Sequence, residues 1–148
     1  MTTSTEDLGI VDGLVQLSFL VQGILSGAAG EHGLPVAQAR LLGILRHREP
    51  GMAELAGMLG LDKSSTSGLV DRAERRGLVA RATVPWDGRV VHVALTEEGR
   101  RLTEAVTAEV GRQIHEAVGG LTDTGRKRLS LLASQVVHCE VVNRRNLT

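Results

Sequence analysis

Between Asp62 and Gly77 the chain sets short hydrogen-bonding side chains, a lysine, three arginines and a glycine into one amphipathic run. Wound as a helix at roughly 100° per residue, this run places Leu69, Val70 and Ala73 on one side, with Thr66 beside them. Ser64, Ser67, Gly68, Asp71 and Arg75 fall on the opposite side, and Arg72 lies on its flank. One face is built to pack, and the other is small, polar and partly cationic. That second face suits a helix lying in a DNA major groove, where hydroxyls and guanidiniums meet base edges and phosphates. Lys63, Ser64, Ser65, Ser67, Gly68, Arg72 and Arg75 are therefore the candidate DNA contacts of this stretch. The plainer alternative is that the serines are ordinary first-turn residues and that Arg72 and Arg75 are solvated charges paired with Glu74 or Asp71. Thr66 faces the packing side and Arg76 leans toward its edge, so neither is counted as a contact.

The flanking sequence supplies the elements that position this helix. Asp62 is a good N-cap, since its carboxylate can accept from free N–H groups of the first turn, and Gly77 is a natural C-terminal stop. Met52 to Leu59 reads as a short helix started by Pro50-Gly51 and stopped by Gly60, which gives a helix-turn-helix across Leu59-Gly60-Leu61-Asp62. Downstream, Leu78 to Ala82 and Val90 to Leu95 read as strands, with Val91, Val93 and Leu95 on one face and Val90, His92 and Ala94 on the other. Pro85, Trp86, Asp87, Gly88 and Arg89 lie between them, and Asp-Gly predicts the tip of the hairpin. A helix-turn-helix followed at once by a hairpin is a winged helix.

Leu55-Ala56, Leu59-Gly60-Leu61-Asp62-Lys63-Ser64, Leu69-Val70-Asp71-Arg72, Gly77-Leu78-Val79, Asp87-Gly88-Arg89 and Leu95-Thr96-Glu97-Glu98-Gly99-Arg100 occur here in one order. Together they resemble the MarR family of bacterial transcriptional regulators over nearly the whole chain. The resemblance implies that Arg89 enters a minor groove, where a narrow A·T tract attracts a cation, with Asp87 orienting it or bracing the hairpin. An Asp–Arg pair serving only the turn is the alternative. Trp86 either stacks on the sugar-phosphate edge or packs against the wing. The chain departs from the family at Gly68, where a larger polar or basic residue is usual, at Thr66 and Ala73, usually aliphatic and Leu, and at Gly88, usually charged.

Around this lobe, taken as residues 35–95, the remaining pattern is helical. Ile10, Leu14, Leu17, Val21 and Leu25 recur at three and four from Asp7 to about Ala28, with Gly27 to Gly30 ending that helix. Val36 to Arg48 reads as a second helix closed by Pro50. Thr96 can cap a long helix carrying Leu102, Val106, Val110 and Ile114. After Gly119-Gly120, Thr122 or Asp123 caps a last helix with a stripe of Leu129, Leu132, Val136 and Cys139. Residues 6–34 and 96–148 carry more apolar surface than one subunit of 148 residues needs, and a second copy would bury it. The resemblance implies the same two-fold dimer, which sets two reading helices about one DNA turn apart, roughly 34 Å.

Composition bounds the rest. The formal net charge is zero, but residues 63–89 hold six basic side chains against three acids, while the first 39 residues hold no Lys or Arg. Hydrophobic residues make up 42% and aromatics 1%, which favours an aliphatic helical core. The one cysteine, Cys139, rules out an intrachain disulfide and reads as a small buried hydrophobe. His138-Cys139-Glu140 lacks the three- or four-residue spacing of a helical metal site. No signal peptide is evident and no apolar run approaches the roughly 20 residues of a membrane span, so a cytoplasmic location without membrane contact is expected. His32, His47, His92 and His115 stand in no catalytic spacing, and no phosphate loop is present, so no enzyme, metal or cofactor is expected.

These readings converge on a mainly α protein with a small hairpin wing and long terminal dimerisation helices. Its expected function is a homodimeric, sequence-specific repressor of transcription on a palindromic operator. The resemblance further implies release by a small amphipathic compound or aromatic acid, held where the first, second and start of the fifth helices meet. The rival is a winged helix used as a protein-interaction module without DNA binding, favoured by the zero net charge and Gly68. The dimerisation part of an enzyme such as a methyltransferase is a third reading, and it lacks any cofactor loop.

Overall fold

A computed structural model describes residues 5–84 and 86–145, with the side chains at 84, 87, 89, 141, 144 and 145 outside the described set. Its elements are α1 (Gly9–Glu31), α2 (Val36–Leu45), α3 (Met52–Leu59), α4 (Lys63–Arg75), β1 (Val79–Val84), β2 (Asp87–Leu95), α5 (Glu97–Ala117) and α6 (Asp123–Arg145). The chain divides into two compact units, residues 1–111 and residues 112–148.

The first unit is organised around one aliphatic core. Leu41, Leu42 and Leu45 of α2, Leu55 and Leu59 of α3, and Leu69, Val70 and Ala73 of α4 meet Val79 and Val93 of the hairpin. Ala28 and Ala29 from the last turns of α1 and Val106 of α5 complete it. Each fully buried Leu or Val removed from water contributes about 1.5–3 kcal/mol, so these faces hold the unit together. Two predicted boundaries move. The small residues 27–30 do not end α1: they pack, and the helix runs on to Glu31, where Gly33 at φ +65° and the Leu34 N–H donating to Ala29 O (2.9 Å) close it. α2 ends at Leu45, three residues earlier than expected.

β1 and β2 form a two-stranded antiparallel sheet, Val79 opposite Leu95 and Thr83 opposite Val91, with an irregularity after Thr83 that sets Val84 opposite Asp87. Asp87-Gly88 is therefore not the hairpin tip. Residues 85 and 86 alone separate the strands, and Gly88 does not take the positive φ that a two-residue type I′ turn demands. The Pro50-Gly51 link adds to the sheet edge: the Val93 N–H donates to Pro50 O (2.9 Å) and Gly51 bridges His92. Gly51 has to be small, because a Cβ there would lie 2.8 Å from Val90 Cγ1.

α5 starts hard against the turn after α4. Thr96 Oγ1 donates to Gly77 O (2.6 Å) and accepts from the Gly99 N–H (3.0 Å), as an N-cap does. A Cβ on Gly99 would stand 1.9 Å from Leu78 O, so only glycine fits. Arg40 of α2 reaches the other side of the helix-turn-helix, donating to the carbonyls of Leu59 (3.0 Å) and Met58 (3.5 Å) at the end of α3.

In the second unit Thr122, rather than Asp123, caps α6 by accepting from the Gly125 N–H (3.0 Å). α6 buries none of its described side chains: Leu132 is 58% exposed and Val137 64%. Cys139 is exposed as well, which corrects its reading as a buried residue. Its stripe is real, but no partner within the unit covers it. A second correction concerns α1. Its 23 residues have a mean hydropathy of 1.5 over an 18-residue window, long and apolar enough by length and composition to cross a membrane. The few charges of α1, Asp12 and Glu31, sit at its ends, so the run is longer than a scan for uninterrupted apolar residues reveals.

Candidate nucleic-acid interface

α4 is placed by its buried face and its cap. Leu69, Val70, Ala73 and Thr66 are all buried, as the helical winding predicts. Thr66 Oγ1 donates to Asp62 O (2.8 Å), and Gln38 Nε2 from α2 donates to Leu69 O (3.0 Å), fixing the helix about its own axis. Asp62 accepts from the Ser65 N–H at 2.7 Å. Hydrogen bonding from that N–H, then from the Ser65 hydroxyl and the Ser64 N–H, holds the Asp62 carboxyl below the usual carboxylate range. A stable anion thus sits at the positive end of the helix dipole. At the other end Gly77 takes φ +72°, and the Leu78 N–H returns to Ala73 O (3.0 Å).

The opposite face is open. Lys63, Ser64, Ser65, Arg72 and Arg75 are exposed, and Ser67 and Gly68 are half-buried. Gly68 leaves a shallow notch over which Arg72 leans: an added Cβ would stand 3.4 Å from a terminal nitrogen of Arg72. Arg75 is folded along its own helix, its Nε donating to Asp71 O (3.4 Å). The pairing of Arg72 or Arg75 with acidic neighbours, weighed from sequence, is not what forms. Asp71 and Glu74 instead hold Arg81 of β1, at 2.8 Å and 3.2 Å. At the hairpin, Trp86 is 74% exposed and meets His92 edge-on, with ring centroids 6.2 Å apart. The side chains of Asp87 and Arg89 lie outside the described residues; their backbones belong to β2.

The profile of the MarR family matches residues 32–90, the stretch from the start of α2 through the wing. A crystal structure of a MarR-family transcriptional regulator from Rhodococcus sp. RHA1 superposes with a TM-score of 0.72 at 29% identity, covering 88% of this chain and 96% of that one. Over residues 32–90, therefore, the chain is similar to the MarR family, and it shares the fold of a MarR-family regulator. FarR, a helix-turn-helix transcriptional regulator of Neisseria gonorrhoeae, is 26% identical over 134 residues, 89% of each chain. The uncharacterized regulator YsmB of Bacillus subtilis is 33% identical over 72 residues, so the match to it spans about half the length of both proteins, 49% of each.

In this winged helix α4 is the second helix of the helix-turn-helix and the β1–β2 hairpin the wing, and the structure brings the α4 candidates onto the face opposite the core. Arg81 is the link between wing and α4 that sequence reasoning missed. Its register opposite Val93 carries the signal, because alternation along β1 points it toward α4. By engaging both acids of the helix it ties the wing to α4, and among the described residues Arg72 and Arg75 have no acidic partner. The recess expected for an effector between α2 and α5 holds only about 20 Å³, lined by Leu34, Ala39, Leu42, Gly43, Thr103, Val106 and Thr107. Its lining is mostly aliphatic, includes no residue of α1, and leaves room for about one water molecule.

Proposed function

We propose that the protein acts as a homodimeric repressor that reads a palindromic operator through α4 and its wing. One observation carries the DNA-reading part: Ser64, Ser65, Ser67 and the Gly68 notch form a face free of bulky side chains, flanked by Lys63, Arg72 and Arg75. Small hydroxyls let the helix axis approach base edges closely, and the flanking cations meet the phosphates that fix register. Arg89, from the wing, supplies the minor-groove contact.

The homodimer rests on the terminal helices. Ile10 and Val11 of α1 are 76% and 70% exposed, and Val136 and Val137 of α6 are 59% and 64% exposed. Apolar surface this continuous on two helices calls for a cover. A second copy provides one, and it places two reading helices roughly 34 Å apart. With α1 covered in this way rather than by lipid, the dimer resides in the cytoplasm. Release from DNA follows when a small molecule favours a dimer whose helices are wrongly spaced for successive major grooves.

The test is a fluorescence-anisotropy titration of the protein against its own upstream DNA at 50 and 200 mM salt. Binding that weakens steeply with salt is expected, and Arg89→Ala weakens it at least tenfold. Absence of binding at both salt concentrations would overturn the proposal in favour of a protein-interaction module.

A further inference from the structure

A recess of about 440 Å³ lies beside the wing, lined by Leu45, Arg46, Arg48, Trp86, Leu95 and Arg100, with His47 and Glu49 at its rim. A second recess of about 170 Å³ shares Arg46, His47, Leu95 and Arg100 with it and adds Thr103 and Glu104. Three arginines thus line the first recess from two segments: Arg46 and Arg48 just after α2, and Arg100 from the first turns of α5. Among the described residues none of the three makes a side-chain hydrogen bond or an ion pair. Several other arginines of the same unit are engaged: Arg40 with Leu59 O, Arg76 with Gly33 O, and Arg81 with Asp71 and Glu74. Arg46, Arg48 and Arg100 are not, and all three line one recess beside the wing.

We propose that this recess binds a small organic dianion, a dicarboxylate or a phosphorylated compound, through Arg46, Arg48 and Arg100. Guanidinium forks pair bidentately with carboxylate and phosphate oxygens, which fixes the class of ligand group. Three arginines against Glu49, with Glu104 in the adjoining recess, leave the described lining net positive, which favours an anion, and three forks can engage two anionic groups. Leu45, Leu95 and the ring of Trp86 give the body of the ligand an apolar wall, as small-molecule sites require, and 440 Å³ lies within their usual size range. A duplex backbone is convex and does not enter a recess walled by two leucines and an indole, so a free small molecule is favoured over a DNA phosphate. The ligand would bridge the end of α2, the wing and the start of α5. This site is separate from the aliphatic recess between α2 and α5, and its occupancy is measured without DNA, so its failure leaves the DNA-binding proposal standing.

Trp86 is the only tryptophan, and it reports on this recess directly. The experiment titrates the full-length protein with phthalate and, separately, with inorganic pyrophosphate at constant ionic strength, following Trp86 fluorescence, with sodium chloride as the control. At least one of the two probes is expected to give a saturable change that chloride does not give. Arg100→Ala and Arg48→Ala, both at exposed positions, are each expected to weaken that binding at least tenfold while leaving the circular-dichroism spectrum unchanged. The proposal is overturned if neither probe saturates, or if both variants bind as the wild type does. It is equally overturned if the variants lose affinity for DNA while the wild type shows no anion binding, which would make these arginines phosphate contacts.

Discussion

The winged-helix lobe and the terminal helices use the same sequence grammar and reach opposite ends. In α2, α3 and α4 the apolar residues at spacings of three and four are buried almost completely: Leu41, Leu55 and Val70 each expose 0%. In α6 the stripe of Leu132, Val136 and Cys139 has equivalent spacing and is exposed throughout, and the first half of α1 is similar. Periodicity states which face is apolar. It does not state what covers that face. The lobe closes its own account within one chain, whereas the terminal helices carry surface that only another body can cover.

That contrast can be broken or sharpened experimentally. The largest effect is expected within the lobe, from Gly99→Ala: its Cβ would overlap the Leu78 backbone, and urea unfolding should show a loss of about 4 kcal/mol. Leu41→Ala, which empties a fully buried site, should cost about 3 kcal/mol in the same measurement. Val136→Glu, on the exposed stripe of α6, should instead leave circular dichroism unchanged and convert a dimer to a monomer in sedimentation velocity at micromolar concentration. If Val136→Glu unfolds the chain without changing its assembly, the contrast fails.

Arg81→Ala should reduce DNA affinity less than Arg89→Ala does, because it loosens the wing's hold on α4 without removing a contact, and anisotropy titrations would rank the two. The smallest effect concerns the cap of α4. The folded pKa of Asp62 is lowered, so its contribution is present above the ordinary carboxylate range and is lost as pH falls through the lowered value. Asp62→Asn keeps the cap and should flatten that acid-side dependence, which thermal melts between pH 3 and pH 6 would detect.

Much of the lobe was legible because local rules and packing agreed there. Asp62, Gly60, Gly77 and Thr96 marked helix ends by the chemistry of free N–H groups and positive φ, and each does so in the structure. The buried and open faces of α4 followed from winding alone. Where sequence reasoning failed, a contact between distant residues decided. Asp87-Gly88 carries a strong turn signal, but the irregular pairing after Thr83 sets Asp87 opposite Val84 and draws both residues into β2. Residues 27–30 have the composition of a helix terminator, but Ala28 and Ala29 are fully buried and hold the helix on. Arg81 was invisible as a site residue because its partners Asp71 and Glu74 lie on another element. The cation cluster around Arg100 likewise draws on segments far apart in sequence.

The grip of Arg40 on the last carbonyls of α3 has a consequence for how such a protein diversifies. The bend between the two helices of the motif is clasped from behind, by a residue that takes no part in reading. Lys63, Ser64, Ser65, Ser67 and Gly68, unlike the buried Thr66 between them, bear little of the burden of holding that bend and are exposed or half-buried. A lineage can therefore exchange these five one by one while the bend keeps its clasp.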